Sequence, residues 1–245
     1  MLYDNLKDII SHTKGFFDSV KLANENNETT VQAIADGSTI ILHGKLSKSI
    51  PDITTCIGLT RMNILEGMLR FPPFAASASK IEFQKQDKNG VQVLNELKFE
   101  STDGHSASYR FMSPIEAEKK IQVPPFNGAT WDIEVEITKK NLSDLSHFAG
   151  VLGGSESTFK VSAKGGKLDF KIGGTGADRT IVPIATGITK SLAHEHSWRL
   201  SEVISLLKLG ETGKCKLCIS DLGVLKIELN SGLGVYNYYL VSMAS

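Results

Sequence analysis

Apolar residues recur with helical spacing in four short stretches of the chain. Leu2, Leu6, Ile9 and Ile10 follow i, i+3, i+4 intervals until Gly15 stops the run. Met62, Ile64, Leu65, Met68 and Leu69 come after Thr60 and end ahead of Pro72-Pro73, a pair that cannot continue a helix. Leu142, Leu145, Phe148, Ala149 and Leu152 extend from about Lys139 to Gly153-Gly154, and Leu200, Val203, Ile204, Leu206 and Leu207 end before Gly210. Elsewhere the pattern alternates with period two or gathers β-branched residues. It predicts strands over 39–46, 53–59, 80–86, 92–100, 106–112, 131–137, 158–163, 167–172, 214–220, 224–230 and 235–243. Asp36-Gly37, Lys88-Asn89-Gly90, Asp103-Gly104, Gly165-Gly166 and Ser231-Gly232 punctuate these as hairpin turns. The class is α+β, with antiparallel strands dominant.

The predicted helices start near residues 3, 60, 139 and 198, two in each half of the chain. A helix followed by a strand meander, repeated at that interval, points to a duplicated domain. Ile121-Gln-Val-Pro-Pro-Phe-Asn-Gly128 places two prolines and a glycine at the midpoint. The expected organisation is a first domain over 1–120, a linker over 121–128 and a second domain over 129–245.

A chain of 245 residues suits two such domains or one large β-rich unit. Its 41% hydrophobic and 22% charged content can bury a core and excludes a disordered or collagenous chain. The charge balance is neutral, 27 Lys plus Arg against 27 Asp plus Glu, so any polyanion binding has to come from a local arrangement. Three cysteines, Cys56, Cys215 and Cys218, suit a reducing compartment better than a secreted disulfide framework. No signal-peptide layout and no membrane-length apolar run is present, and an intracellular protein with no membrane partner is expected.

Candidate chemistry is sparse. Cys215-Lys-Leu-Cys218 has CxxC spacing, but no second Cys or His pair follows, and a strand would turn the two thiols to opposite faces. His194-Glu-His196 lacks the i, i+4 spacing of a helical metal motif and reads as a polar loop. Gly173-Gly-Thr-Gly176 lacks the Lys-Ser/Thr and the helix start of a phosphate loop. No catalytic residue, metal site or cofactor is expected.

Three segments carry a resemblance to a known family. These are Ile57-Gly-Leu-Thr-Arg-Met-Asn-Ile-Leu-Glu-Gly-Met-Leu-Arg70, Ile137-Thr-Lys-Lys-Asn-Leu-Ser-Asp-Leu-Ser-His-Phe148, and the closing pair 213–229 and 236–243. In that order they resemble the processivity-clamp fold, most closely the DNA polymerase sliding clamps of T4-like bacteriophages. The resemblance implies two similar domains with antiparallel sheets outside and two short helices each lining a homotrimeric ring. It further implies a non-enzymatic partner of double-stranded DNA and of a DNA polymerase, set on DNA by a clamp-loader ATPase, with a further role in late transcription. Sliding needs contacts that follow phosphate charge without reading bases, which a neutral chain with a basic lining meets. Net charge is 0 over 4–14 and +1 over each of 60–70, 138–148 and 198–208, leaving −3 for the remainder.

The same resemblance assigns residues. Lys7, Lys14, Arg61, Arg70, Lys139, Lys140, Arg199 and Lys208 become DNA-facing, although each equally describes an ordinary solvated helix face. A partner-peptide pocket would take Ile40, Leu42, Val123, Pro124, Pro125, Phe126, Leu222, Tyr239, Leu240, Val241 and Met243, some of which read equally well as core. Head-to-tail closure would use strands 106–112 and 167–173, with Tyr109, Phe111, Leu168 and Phe170 as contacts, although alternation puts Leu168, Phe170 and Ile172 on one face that reads equally well as core. A β-rich oligomeric viral structural or assembly subunit, or an enzyme with a site not visible in the sequence, fits the same composition.

Overall fold

The computed structural model describes residues 2–88, 90–174, 176–210 and 214–243. The chain divides into two units: unit 1 runs to Pro124 and includes Gly232–Tyr236, and unit 2 holds Pro125–Ser231 and the residues from Asn237 onward.

Unit 1 opens with helix α1 (Leu2–Thr13) and continues through strands β1 (Ser19–Glu25), β2 (Glu28–Ile34), β3 (Ile40–Leu46) and β4 (Ile57–Thr60). Helices α2 (Met62–Arg70) and α3 (Pro72–Ala75), strands β5 (Lys80–Lys88), β6 (Val91–Glu100) and β7 (Ser106–Arg110), and helix α4 (Pro114–Lys120) follow. One antiparallel sheet has the order β4-β1-β2-β3, and a second has β5-β6-β7. The alternation expected of half-buried strands sets the core: Val20 and Leu22, Val31 and Ala33, and Ile40 and Leu42 point inward, with Leu6, Ile9 and Ile10 of α1 and Leu65 and Leu69 of α2.

Two polar devices tie this unit together. The Tyr236 hydroxyl donates to Asp8 Oδ2 at 2.7 Å, and its ring stacks on His12 at 4.1 Å and 2°. Gly44 of β3 leaves room for that ring, since a Cβ there would stand 3.0 Å from Tyr236 and 3.2 Å from Val31. Tyr109 of β7 is buried; its hydroxyl donates to the Thr60 carbonyl and accepts from the Thr60 N–H at 3.0 Å. Burial pushes its phenol up to about 12. The unfolded phenol titrates near about 10, so the folded state holds the proton longer, and stability falls as pH rises from about 10 toward 12. Thermal unfolding from about pH 9 to about pH 11 should show a slope approaching 1.4 kcal/mol per pH unit at its steepest, flattened by Tyr109→Phe.

Unit 2 contains β8 (Ile133–Glu136), α5 (Lys139–Leu152), β9 (Thr158–Lys164), β10 (Lys167–Ile172), β11 (Thr180–Thr186), β12 (His196–Arg199), α6 (Leu200–Leu209), β13 (Lys214–Ser220), β14 (Val224–Asn230) and β15 (Gly234–Val241). Its sheets have the orders β11-β10-β9-β12 and β15-β14-β13-β8, and β15 enters from residues that belong to unit 1. Thr138 and Asn141 start α5 with a reciprocal capping box.

The repeat is finer than a duplication. Strand, helix and three-stranded meander recur as β4-α2-β5-β6-β7, β8-α5-β9-β10-β11 and β12-α6-β13-β14-β15, and α1-β1-β2-β3 repeats the helix and meander. Helix starts at Leu2, Met62, Lys139 and Leu200 keep the expected interval.

Several sequence expectations change. Helices α3 and α4 join the four expected ones: Pro72-Pro73 ends α2 but opens α3, where a missing N–H costs nothing. Strands β1, β2, β11 and β12 lie outside the predicted set, and His196 opens β12 rather than lying in a loop. The Lys88-Asn89-Gly90 turn and Thr175 of the glycine-rich segment reach outside the described residues. Cys215 and Cys218 stand on β13 at positions of opposite parity, and burial pushes the Cys215 thiol up to about 12.

Candidate nucleic-acid and partner-binding surfaces

All eight cations expected to face DNA are exposed, and they lie on or beside α1, α2, α5 and α6. The second helix of each unit carries one pattern: an arginine at the N-cap, Arg61 or Arg199, and a cation in the last turn, Arg70 or Lys208. Their electrostatic states differ. Lys14 pairs with Glu66, to which Arg70 also binds at 2.8 Å; Lys140 pairs with Asp144, and Arg199 with Glu202 at 3.2 Å. The Lys14 hydrogen bond and the Arg70 charge together hold the Glu66 carboxyl below its usual range. Lys7 lies over the Tyr3 ring at 6.0 Å. Arg61, Lys139 and Lys208 have no carboxylate partner among the described residues. Exposed pairs of this kind contribute little to stability, but they set the local charge: three carboxylates offset the four paired cations, while these three have no such offset.

Within unit 2 a groove of about 580 Å³ separates α5 from α6, lined by small and hydroxyl residues including Ser146, Gly150, Ser201 and Ser205, with Lys208 at its side. Its hydroxyls can meet phosphate oxygens, the commonest protein–DNA contact, and Glu156 is the one carboxylate in its lining.

The residues expected to form a partner pocket separate into surface and interior. Ile40, Leu42 and Leu240 are core residues, because the inward phase of β3 and β15 claims them. Val123 is half-buried, and Pro124 and Pro125 are exposed; the Pro124 carbonyl accepts from His43 Nε2 at 3.2 Å, a ring whose pKa burial lowers. On unit 2, Phe126 stacks on Tyr239 at 4.2 Å and on Trp131 at 5.9 Å, and Lys226 Nζ lies 5.2 Å from the Trp131 ring centre. Leu222, Val241 and Met243 are 81%, 64% and 41% exposed. Trp131 joins this group from outside the expected set. Its place at the head of a predicted strand, five residues after Phe126, is the signal the sequence offers.

The strands expected at the subunit contact also need correction. β7 is an edge strand, but β10 is flanked on both sides by β9 and β11, and β11 is the edge. Leu168 and Phe170 are fully buried, as is Tyr109, while Phe111 is half-buried and its ring lies 5.9 Å from Phe83. β11 exposes Ile181 and carries Pro183, which an edge strand tolerates because its outer N–H has no partner to lose.

Among the described residues no group of three His, Cys, Asp or Glu is placed to hold a metal ion, and no helix is long and apolar enough to cross a membrane.

No family model and no curated protein matches the chain. Solved structures do. The PCNA2–PCNA3 complex from Sulfolobus tokodaii matches at 12% identity over 98% of this chain and 97% of that one, with a TM-score of 0.67. PCNA from Thermococcus kodakaraensis matches at 12% over 98% and 97%, TM-score 0.70. The proliferating cellular nuclear antigen of Entamoeba histolytica matches at 10% over 99% and 96%, TM-score 0.69. Identity this low speaks for the fold alone, and it does not single out the phage branch of the resemblance. The chain has the α+β clamp fold of PCNA, with two clamp units, along essentially its whole length.

Proposed function

We propose that this chain is a sliding clamp, a non-enzymatic subunit whose copies close into a ring around duplex DNA and tether a DNA polymerase. The observation that carries the reading is the clamp fold over the whole chain, joined to helices that present Arg61, Lys139 and Lys208 without carboxylate partners among the described residues. Charge spread along helices attracts phosphates without fixing a register, as sliding requires. The serine-lined α5–α6 groove accords with the same use. Closure would join β7 of one copy to β11 of the next, three copies to a ring. A clamp-loader ATPase would supply the opening, and the phage resemblance adds late-transcription proteins as partners.

The stack of Phe126, Trp131 and Tyr239, with Leu222, Val241 and Met243, is the proposed seat of the polymerase's peptide. Aromatic anchors of this sort concentrate binding energy. The test is synthesis on a primed circle with the cognate polymerase, loader and ATP, in which added clamp lengthens the products. No lengthening, or an assembly without a central hole in electron micrographs, would overturn the reading. Phe126→Ala with Tyr239→Ala should cost about 2 kcal/mol or more in polymerase affinity, shortening products while leaving the assembled mass unchanged.

A further inference from the structure

The clamp fold supplies the first strand of nearly every meander with an outer neighbour. β4 pairs with β1, β12 with β9 and β8 with β13, each neighbour being the strand that precedes a helix. The fourth such strand is β5, and among the described residues nothing pairs with its outer side. An edge of this kind offers unpaired backbone donors and acceptors.

The pairing of β5 with β6 shifts register between Gln84 and Lys85, where β6 has one extra residue, Asn95; Lys80–Gln84 lies ahead of that shift, and the strand that fills the equivalent place in unit 2, β8, is four residues long, Ile133–Glu136. A hollow of about 410 Å³, lined by Leu2, Tyr3, Asp4, Phe74, Ser79 and Ile81, lies beside the start of β5.

We propose that the outer edge of β5 binds an extended peptide by strand addition, antiparallel, reading apolar–basic–apolar–acidic from its N-terminus. The order follows from what β5 presents. Ile81 and Phe83 are half-buried on one face, so the residues beside them are apolar, while Glu82 and Lys80 are exposed on the other. In antiparallel register a residue beside Phe83 is followed by residues beside Glu82, Ile81 and Lys80 in turn, which calls for a cation at the second position and a carboxylate at the fourth. Unit 2 uses a related device, since Glu134 of β8 pairs with Lys216 of β13. Main-chain bonds would provide affinity and the alternate side chains selectivity. This partner differs from the one proposed for the aromatic stack, and the inference does not rest on the ring reading.

The probes are two labelled peptides of one composition, centred on Val-Lys-Val-Glu and on Val-Glu-Val-Lys. Anisotropy with the full chain should favour the first about threefold to tenfold, from two cross-strand charge pairs made or reversed. Hydrogen exchange should slow over 80–84 when it binds. Lys80→Glu combined with Glu82→Lys, both at exposed sites, should invert the preference. Equal binding of the two peptides, protection along 106–110 instead, or concentration-dependent protection of 80–84 in the free protein, which would mark a second copy as the occupant, would each overturn the proposal.

Discussion

Trp198→Ala should lower the stability of unit 2 by about 3–5 kcal/mol, the usual cost of emptying a buried indole site. Trp198 is 1% exposed and packs against Phe159 at a ring distance of 6.3 Å. It sits on β12, in the sheet β11-β10-β9-β12, yet its Nε1–H donates to the Leu240 carbonyl at 3.3 Å on β15, in the other sheet of the unit. One side chain therefore fills the interior between the two sheets and hydrogen-bonds across it. Trp198→Phe retains most of the apolar volume and leaves the Leu240 carbonyl without this donor, for an expected loss of about 1–3 kcal/mol. Urea unfolding followed by circular dichroism separates the two, and an alanine variant no worse than the phenylalanine one would refute the cavity argument.

Reversing the three uncompensated helix cations, Arg61→Glu, Lys139→Glu and Lys208→Glu, should have the largest effect on DNA of any surface change. Each is exposed and without a carboxylate partner among the described residues, so each is available to a phosphate at no cost in broken ion pairs. On the sliding-clamp reading, the salt dependence of retention on a closed circle should fall by about one in log–log slope for each phosphate that is no longer neutralised. Product length should collapse as retention does. Reversing Lys14, Arg70, Lys140 and Arg199 instead should do less, because Glu66, Asp144 and Glu202 already offset them. Equal effects of the two sets would show that the ion pairs open on DNA and that pairing is no guide to phosphate binding.

The helices are legible because their apolar stripes are regular and their ends are marked by Thr138, Gly15 and Pro72-Pro73. α4 is legible too, through Ser113-Pro-Ile-Glu116, the signature of the capping box it forms, but it carries too few apolar residues to register by periodicity. β1 and β2 are hidden by their turn: Asn26 and Asn27 both take the left-handed conformation at φ 52 and 63, a geometry usually sought in glycine. Pro183 obscures β11, since a proline inside a run argues against an inner strand, and only the sheet order reveals that this one is an edge. The site is less legible than the fold. Alternation puts Leu168, Phe170 and Ile172 on one face, which is correct, but pattern alone does not say whether that face meets the core or another surface. The aromatic stack depends on Phe126, Trp131 and Tyr239 meeting from distant positions, and no local spacing encodes that.

The last strand has a consequence for how the chain is made. Gly234–Tyr236 completes unit 1 beside β3, and Tyr236 reaches back to Asp8, so unit 1 cannot finish folding until the ribosome has produced residues 125–231 as well. At roughly 5–20 residues per second that is a delay of about 5–20 s. Throughout it, the nascent first unit holds β3 as an open edge and leaves the face of the His12 ring that Tyr236 will cover open to water. A stall late in translation would therefore release a chain in which even the first-made unit is unfinished.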